Sequence, residues 1–168
     1  MFISLLFIII LFSSSFLSGA IGSPQSHITV YDEIELIEAI SAAPDNEYYG
    51  INIGKDIALK KPLEIPRDKK IGLLGGRLVG SDGVDTIVVK SGGELQLWGV
   101  VVTHAEGDGG RGVYVECGGT YAYYSSFMMS DGGVIFGNIA SNEGGGVYIH
   151  SYGGVFDLYD GMIYDIAT

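Results

Sequence analysis

Residues 133–149 read GVIFGNIASNEGGGVYI, and this stretch indicates the fold because parts of it recur along the chain. The segment from Gly99 to Val113 matches the segment from Gly133 to Val147 at an offset of 34 residues. The opening of the stretch returns at residues 161–167, which read GMIYDIA. Self-similarity at spacings of 20 to 50 residues is typical of solenoids and repeat arrays, and unequal spacing indicates loops inserted at the corners.

A second pattern recurs three times in the same half of the chain. Residues 87–97 (IVVKSGGELQL) align with residues 113–123 (VYVECGGTYAY), and again with residues 147–158 (VYIHSYGGVFDL) after one inserted residue. This alignment places Tyr121 opposite Leu95 and Tyr123 opposite Leu97. The Gly-Gly pairs suit sharp bends between short strands, because glycine adopts positive φ and allows close backbone approach.

Apolar residues alternate with other residues from Ile51 onward, which predicts short strands. The alternating pairs are Ile51/Ile53, Ile57/Leu59, Leu63/Ile65, Ile71/Leu73, Ile87/Val89, Leu95/Leu97 and Val100/Val102. A β-sandwich would show the same alternation, and the repeats decide between the two folds. The sequence therefore predicts an all-β protein in which residues 51–168 form a right-handed parallel β-helix (solenoid) of about four to five coils.

Residues 21–50 are predicted to form an N-terminal cap of one strand and one amphipathic helix. Asp32 is the expected N-cap of the helix, because its carboxylate can accept hydrogen bonds from the first free backbone N–H groups. The predicted apolar face consists of Ile34, Leu36, Ile37 and Ile40. Such a helix would cover the apolar end of the first coil, as the terminal repeat of a solenoid requires.

Residues 1–20 read as a secretory signal peptide, with an apolar run from Phe2 to Phe12 and small residues ending at Ala20. The alternative is a membrane anchor, but the apolar run is about half of the roughly 20 residues that a bilayer span needs. We therefore expect a secreted or cell-surface protein without a membrane span after cleavage. Cys117 is the only cysteine, so no intramolecular disulfide can stabilise the fold.

The chain is acidic and its charges are unevenly distributed. Twenty Asp and Glu residues against nine Lys and Arg residues give a net charge of −11. Beyond Lys90 the only basic residue is Arg111. A surface of this sign repels phosphate backbones, so nucleic acid is not expected as a partner.

Residues 133–149 resemble the repeat of adhesin-like surface proteins, in which Gly-Gly-x-Ile-x-x-Asn-x-Ala precedes Gly-Gly-Gly-Val-Tyr. Such repeats occur in polymorphic outer-membrane proteins, autotransporter passengers and adhesin-like proteins of methanogens, and the resemblance covers residues 86–168. The N-terminal segment resembles the opening of pectin-lyase-like β-helices through Leu36, Ala39, Ile40, Ile51 and Ile53. These resemblances imply a non-catalytic surface module that binds extracellular glycans or proteins.

The alternative is a polysaccharide-active β-helix enzyme of the pectate-lyase or polygalacturonase type, or a remnant of one. Its candidate side chains are Asp82, Asp85, Glu94, Glu106, Asp108 and Glu116 with Arg77, Lys90 and Arg111. Paired carboxylates can perform acid and base catalysis on a glycosidic bond. If the chain is an enzyme, we expect Asp108, Glu116 and Arg111 to carry catalysis, although the sequence lacks the motifs of those enzymes.

Tyrosines are the predicted ligand-binding residues, because they bury much apolar area and keep a polar tip. The candidates are Tyr121, Tyr123, Tyr124 and Tyr152, within a set predicted to be exposed that also includes Phe127, Tyr148 and Tyr159. Internal stacks would explain the same residues without any ligand.

The sequence predicts no metal site and no cofactor, and calcium binding is left as an open alternative. Residues 107–110 and 157–165 contain carboxylates that could attract calcium, but neither has the spacing of an EF-hand loop or a nonapeptide repeat. His104 and His150 fall at different points of the repeat and are not expected to form a metal pair.

The last repeat stops at Thr168 without a polar capping element. An uncovered strand edge invites pairing with another strand. The sequence thus leaves two interpretations, a fragment of a longer array or a coil that associates with a second copy or another partner.

Overall fold

The computed structural model describes residues 26–118, 124–141, 143–150 and 153–164. The predicted signal peptide at residues 1–20 lies outside these residues. So do Tyr121, Tyr123 and Tyr152, and the last four residues of the chain.

Within the described residues the chain forms one helix and fifteen strands. The helix α1 spans Glu33–Ala42. The strands are β1 (Ser26–Val30), β2 (Tyr48–Ile53), β3 (Ile57–Ala58), β4 (Leu63–Ile65), β5 (Lys70–Leu74), β6 (Arg77–Gly80), β7 (Ile87–Val89), β8 (Glu94–Trp98), β9 (Val101–His104), β10 (Val113–Val115), β11 (Ser125–Ser130), β12 (Gly133–Phe136), β13 (Val147–Ile149), β14 (Gly154–Leu158) and β15 (Gly161–Tyr164).

The strands form three parallel sheets. Sheet A has the order β1-β2-β5-β8-β11-β14, sheet B the order β3-β6-β9-β12-β15, and sheet C the order β4-β7-β10-β13. From β2 onward, successive strands belong to sheets A, B and C in turn, and we call each such run of three strands a coil. Coils 1 to 4 are therefore β2–β4, β5–β7, β8–β10 and β11–β13, and β14 and β15 follow in sheets A and B. A mostly β chain with parallel sheets is compatible with the predicted all-β solenoid.

The core lies between the sheets and consists of apolar side chains stacked from coil to coil. All seven alternating pairs predicted from the sequence are buried, as the pattern indicates. Phe127 is also fully buried, and its ring stacks on that of Phe156 at 4.8 Å between centroids. Apolar side chains thus stack on apolar side chains at these inward positions of neighbouring coils.

The helix α1 begins as predicted and packs on a slightly different face. The Asp32 carboxylate accepts hydrogen bonds from the backbone N–H groups of Ile34 and Glu35, both at 2.9 Å. The buried residues are Leu36, Ala39 and Ile40. Ile34 was predicted on the apolar face, but it is 66% exposed, because its position in the first turn points away from the first coil.

The partner of β8 differs from the sequence alignment. Leu95 and Leu97 pair with Phe127 and Met129 of β11, whereas the alignment placed Tyr121 and Tyr123 opposite them. The connection between β10 and β11 spans residues 116–124 and is longer than the connection at residues 90–93 between β7 and β8. The alignment carried no gap there, so it placed Tyr121 and Tyr123 at the positions that Phe127 and Met129 take. Phe127 was predicted to be exposed, but it is buried.

The pairing of β9 with β12 in sheet B also differs from the alignment, by one residue. The predicted offset of 34 residues would pair Val102 with Phe136, but Val102 pairs with Ile135 at an offset of 33. Both Val102 and Ile135 are fully buried, and a shift by one residue would turn one of them outward. Two other predicted equivalences are confirmed, since Val113 pairs with Val147 and Gly133 with Gly161.

The three corners between the sheets differ in length. From coil 2 onward each corner from sheet A to sheet B is a two-residue turn, as at Gly75 and Gly76, where φ is +59° and +68°. A Cβ at Gly76 would lie 2.5 Å from Ile53 Cγ2 and 2.7 Å from the Ile53 carbonyl oxygen, so position 76 has no room for a larger residue. The corner from sheet B to sheet C lengthens from coil to coil, through residues 59–62, 81–86, 105–112 and 137–146. The lengthening loops build a wall beside sheet C.

Candidate functional site

Two adjoining depressions lie where the wall of loops meets sheet C. The first has a volume of about 530 Å³ and is lined in part by Pro62, Asp85, Arg111 and Glu143. The second has a volume of about 480 Å³ and is lined by Arg111, Tyr114, Glu143, Tyr148 and His150. Because Arg111 and Glu143 line both depressions, we treat them as one site and call it the corner groove.

Arg111 is held in the corner groove by a two-pronged ion pair. Its Nε and Nη2 atoms donate hydrogen bonds to the two carboxylate oxygens of Asp85 at 2.7 and 2.9 Å. These hydrogen bonds raise the pKa of Arg111 above its ordinary value, so the guanidinium stays charged. A bidentate pair of this kind fixes the orientation of the guanidinium group as well as its position. The Arg111 side chain is therefore already oriented in the absence of a ligand.

Two tyrosines extend the site along the outer face of sheet C. Tyr114 pairs with Tyr148 on the neighbouring strand, and their rings lie 5.7 Å apart at an interplanar angle of 25°. The Arg111 guanidinium carbon lies 4.2 Å from the ring centre of Tyr114 and 5.0 Å from that of Tyr148. The His150 ring meets Tyr114 edge-on at 6.5 Å. Stacked aromatic faces beside a fixed cation suit binding rather than proton transfer.

Buried polar groups beneath the groove tie the corner loops together. His104 Nε2 lies 2.9 Å from the carbonyl oxygen of Val84, and His104 Nδ1 lies 2.8 Å from Oδ1 of Asn138. The Asn138 amide donates to the carbonyl oxygen of Phe136 at 2.9 Å. His104 and Asn138 are both buried. Because these contacts join coils 2, 3 and 4, the floor of the corner groove is rigidly supported.

The raised pKa values of Tyr114 and Lys90 predict that the folded protein loses stability at high pH. Burial is the main cause that raises the pKa of Tyr114 above its ordinary value of 10.0. The pKa of Lys90, which follows β7, is raised above 10.5 mainly by its hydrogen bond to Glu116. Groups that bind their proton more tightly when folded stabilise the fold fully below the unfolded pKa and lose that contribution as pH rises through the folded pKa.

We therefore expect the free energy of unfolding, measured by urea titration, to stay constant up to about pH 9 and to fall as the pH rises above about 10, the unfolded pKa of these groups. A Tyr114→Phe variant should lose less stability over this interval than the unmodified protein. Tyr124→Phe, which changes an exposed tyrosine, should keep the original pH dependence. Identical pH profiles for Tyr114→Phe and the unmodified protein would contradict the prediction.

The three catalytic candidates do not come together. Arg111 binds Asp85, whereas the Glu116 carboxylate lies 2.8 Å from Lys90 Nζ. Asp108 belongs to the loop at residues 105–112, where its backbone N–H donates to the carbonyl oxygen of Ala105. Neither Asp108 nor Glu116 lines the depressions of the corner groove. Of these three, the structure therefore places only Arg111 in the groove, and of the wider set of candidate side chains it also places Asp85 there.

The tyrosines of the site are not the ones that the sequence favoured. Tyr124 is 56% exposed but does not line the corner groove, and Tyr121, Tyr123 and Tyr152 lie outside the described residues. Tyr114 was missed as a candidate. The signal for it was present in the aligned segments VYV and VYI at residues 113–115 and 147–149, which give both tyrosines the same outward position.

The described residues contain no cluster of metal-ligating side chains. Within them, no three His, Cys, Asp or Glu side chains are arranged so that they could hold a metal ion. The described carboxylates of the two segments considered for calcium do not form a cluster of this kind, and calcium binding there stays a prediction from the sequence. Among the described residues, no helix is long and apolar enough to cross a membrane.

Comparison of the chain with family models, with curated proteins and with solved structures found no match. The adhesin-like resemblance of residues 86–168 thus stays a prediction from the sequence.

Proposed function

We propose that this chain is a secreted or cell-surface adhesin-like module with a right-handed parallel β-helix fold, which binds extracellular glycans or proteins without catalysis. The proposal rests on one observation. The corner loops lengthen from coil to coil and enclose a groove that presents the stacked Tyr114 and Tyr148 beside the fixed Arg111. Tyrosine and arginine contribute most of the binding energy at many interfaces, because they bury a large area and retain directional polar groups.

The environment of the Asp85 carboxylate supports ligand binding rather than catalysis. Asp85 is engaged by Arg111, and its side chain is only 16% exposed. A carboxylate held in this way is poorly placed to exchange a proton with a substrate. The scaffold beneath it is rigid, so the aromatic faces are preorganised and little conformational entropy is lost when a ligand binds.

The binding test uses the purified chain on an array of extracellular glycans and matrix proteins. We expect a bound ligand whose affinity falls by about tenfold in Tyr148→Ala, since removal of a stacking face costs roughly 1–2 kcal/mol. Tyr159→Ala is the matched control, because Tyr159 is 59% exposed in the turn between β14 and β15. Equal losses in the two variants would contradict a role for the groove.

The enzymatic alternative keeps one observation in its favour, which is that Asp85 and Glu143 line the same depression. A reducing-sugar assay on uronans should show no turnover if the binding proposal is correct. Turnover that disappears in Asp85→Asn or Glu143→Gln would replace the binding proposal with the polysaccharide-active alternative.

A further inference from the structure

The corner loops of coils 2 to 4 carry an excess of negative charge. They contain one basic residue, Arg111, and the acidic residues Asp82, Asp85, Glu106, Asp108 and Glu143. Asp85 neutralises Arg111 through its two hydrogen bonds. An acidic polymer such as a uronan would therefore approach a surface of its own sign, whereas a cationic ligand would be attracted.

Glu143 is placed to receive such a cation. It lines both depressions of the corner groove, and no basic side chain of the described residues lies within ion-pair distance of it. Its carboxylate is exposed, so a ligand can reach it without displacing an internal partner. Arg111, by contrast, is already paired and offers an acidic ligand little free charge.

The tyrosine pair is suited to the same kind of ligand. Arg111 already shows the geometry, because its guanidinium carbon lies within 5.0 Å of both ring centres. The negative faces of aromatic rings attract cations, and guanidinium groups stack on them with particular ease. A carboxylate beside two tyrosine rings can pair with the charge of a Lys or Arg side chain, whereas a neutral sugar ring would meet Glu143 only through hydrogen bonds from its hydroxyl groups.

The length of the groove matches a short extended segment. It runs from Pro62, next to β4, to Tyr148 on β13, and β4, β7, β10 and β13 are consecutive neighbours in sheet C. Three strand spacings of about 4.8 Å give roughly 14 Å, which about four residues of extended polypeptide would span.

We infer that the corner groove binds an extended polypeptide segment of a basic protein, with a Lys or Arg side chain placed between Tyr148 and Glu143. The inference rests on the proposed binding function and names the class of partner. Its electrostatic part predicts binding that weakens as salt is added, since exposed charges are screened.

Fluorescence polarisation with three labelled hexapeptides tests the inference. The first peptide has two arginines separated by serine, and the other two carry glutamine or glutamate in place of both arginines. We expect the arginine peptide to bind at least about tenfold more tightly than the glutamine peptide, and the glutamate peptide not to bind. Glu143→Gln and Tyr148→Ala should each weaken binding of the arginine peptide by about tenfold.

Asp157→Asn provides the matched control for Glu143→Gln. Both changes remove one negative charge from the same half of the chain, but Asp157 is an exposed residue of β14 in sheet A. We expect Asp157→Asn to change the affinity by less than about twofold. If it weakens binding as much as Glu143→Gln does, the attraction reflects net charge alone, and the inference is wrong.

A neutral oligosaccharide, cellohexaose, separates the inference from the function on which it rests. Binding of cellohexaose that Tyr148→Ala abolishes, without binding of the arginine peptide, would overturn the basic partner and leave a glycan-binding module. Failure of all peptides, cellohexaose and the glycan and protein array to bind would overturn both proposals.

Discussion

Phe127→Ala is expected to lower the free energy of unfolding by about 3–5 kcal/mol, the usual cost of removing a buried aromatic ring from a core. Phe127 is fully buried, pairs with Leu95 on one side and stacks on Phe156 on the other. The parallel strands cannot shift independently to fill the cavity, because each is held on both sides by its neighbours. Urea unfolding followed by circular dichroism would measure the loss.

Tyr124→Ala is the control for this prediction. Tyr124 lies just before β11 and is 56% exposed, so its removal should change stability by no more than about 0.5 kcal/mol. A loss in Phe127→Ala as small as that in Tyr124→Ala would contradict the pairing of β8 with Phe127 and Met129. Such a result would favour the alignment from sequence alone, which placed Tyr121 and Tyr123 opposite β8.

Gly110→Ala is expected to destabilise the protein by about 2–5 kcal/mol and to distort the corner groove. Gly110 has a φ of +138°, and a Cβ there would lie 2.0 Å from the carbonyl oxygen of Val84 and 2.5 Å from His104 Nε2. Strained backbone costs roughly 1–3 kcal/mol and overpacking a similar amount. Because Gly110 donates a hydrogen bond to the carbonyl oxygen of Ile139, the displacement should reach the loop that carries Glu143.

Gly107→Ala separates strain from steric overlap in the same loop. Gly107 has a φ of +86°, but a Cβ there would meet nothing within 4 Å. We expect a loss of about 1–2 kcal/mol from the backbone conformation alone, and no change in ligand binding at the groove. A loss as large as that of Gly110→Ala would show that the contact with Val84 and His104 contributes little.

The strand pattern and the order of the coils could be predicted from the sequence because they depend on local alternation. Every predicted pair from Ile51/Ile53 to Val100/Val102 is buried, since a period of two places alternate side chains on one face of any strand. The N-cap at Asp32 was predictable for a similar reason, because its hydrogen bonds reach only two and three residues along the chain.

Register could not be predicted wherever a connection changes length. The long connection at residues 116–124 moved the true partners of Leu95 and Leu97 to Phe127 and Met129. In sheet B, three residues separate the paired positions Ser130 and Val134, where two separate Trp98 and Val101. A repeat alignment contains no information on where an extra residue bulges, because that depends on which side chains the neighbouring coils can bury.

The candidate site was predictable only in part. Arg111 was singled out, but as a catalytic partner of Asp108 and Glu116 rather than as the partner of Asp85. Asp85 and Arg111 are 26 residues apart in the chain, and coil stacking alone brings them together. The contacts of His104 with Asn138 depend on the same stacking.

The sequence by itself determined that this chain consists of short strands in recurring units, preceded by a capped helix, with an acidic second half. The tertiary structure alone decided which residues face each other across coils and therefore where the groove lies. The physical reason is the range of the interactions. Alternation and helix capping act between near neighbours, whereas the groove arises from loops of four successive coils whose contacts form only when the sheets are stacked.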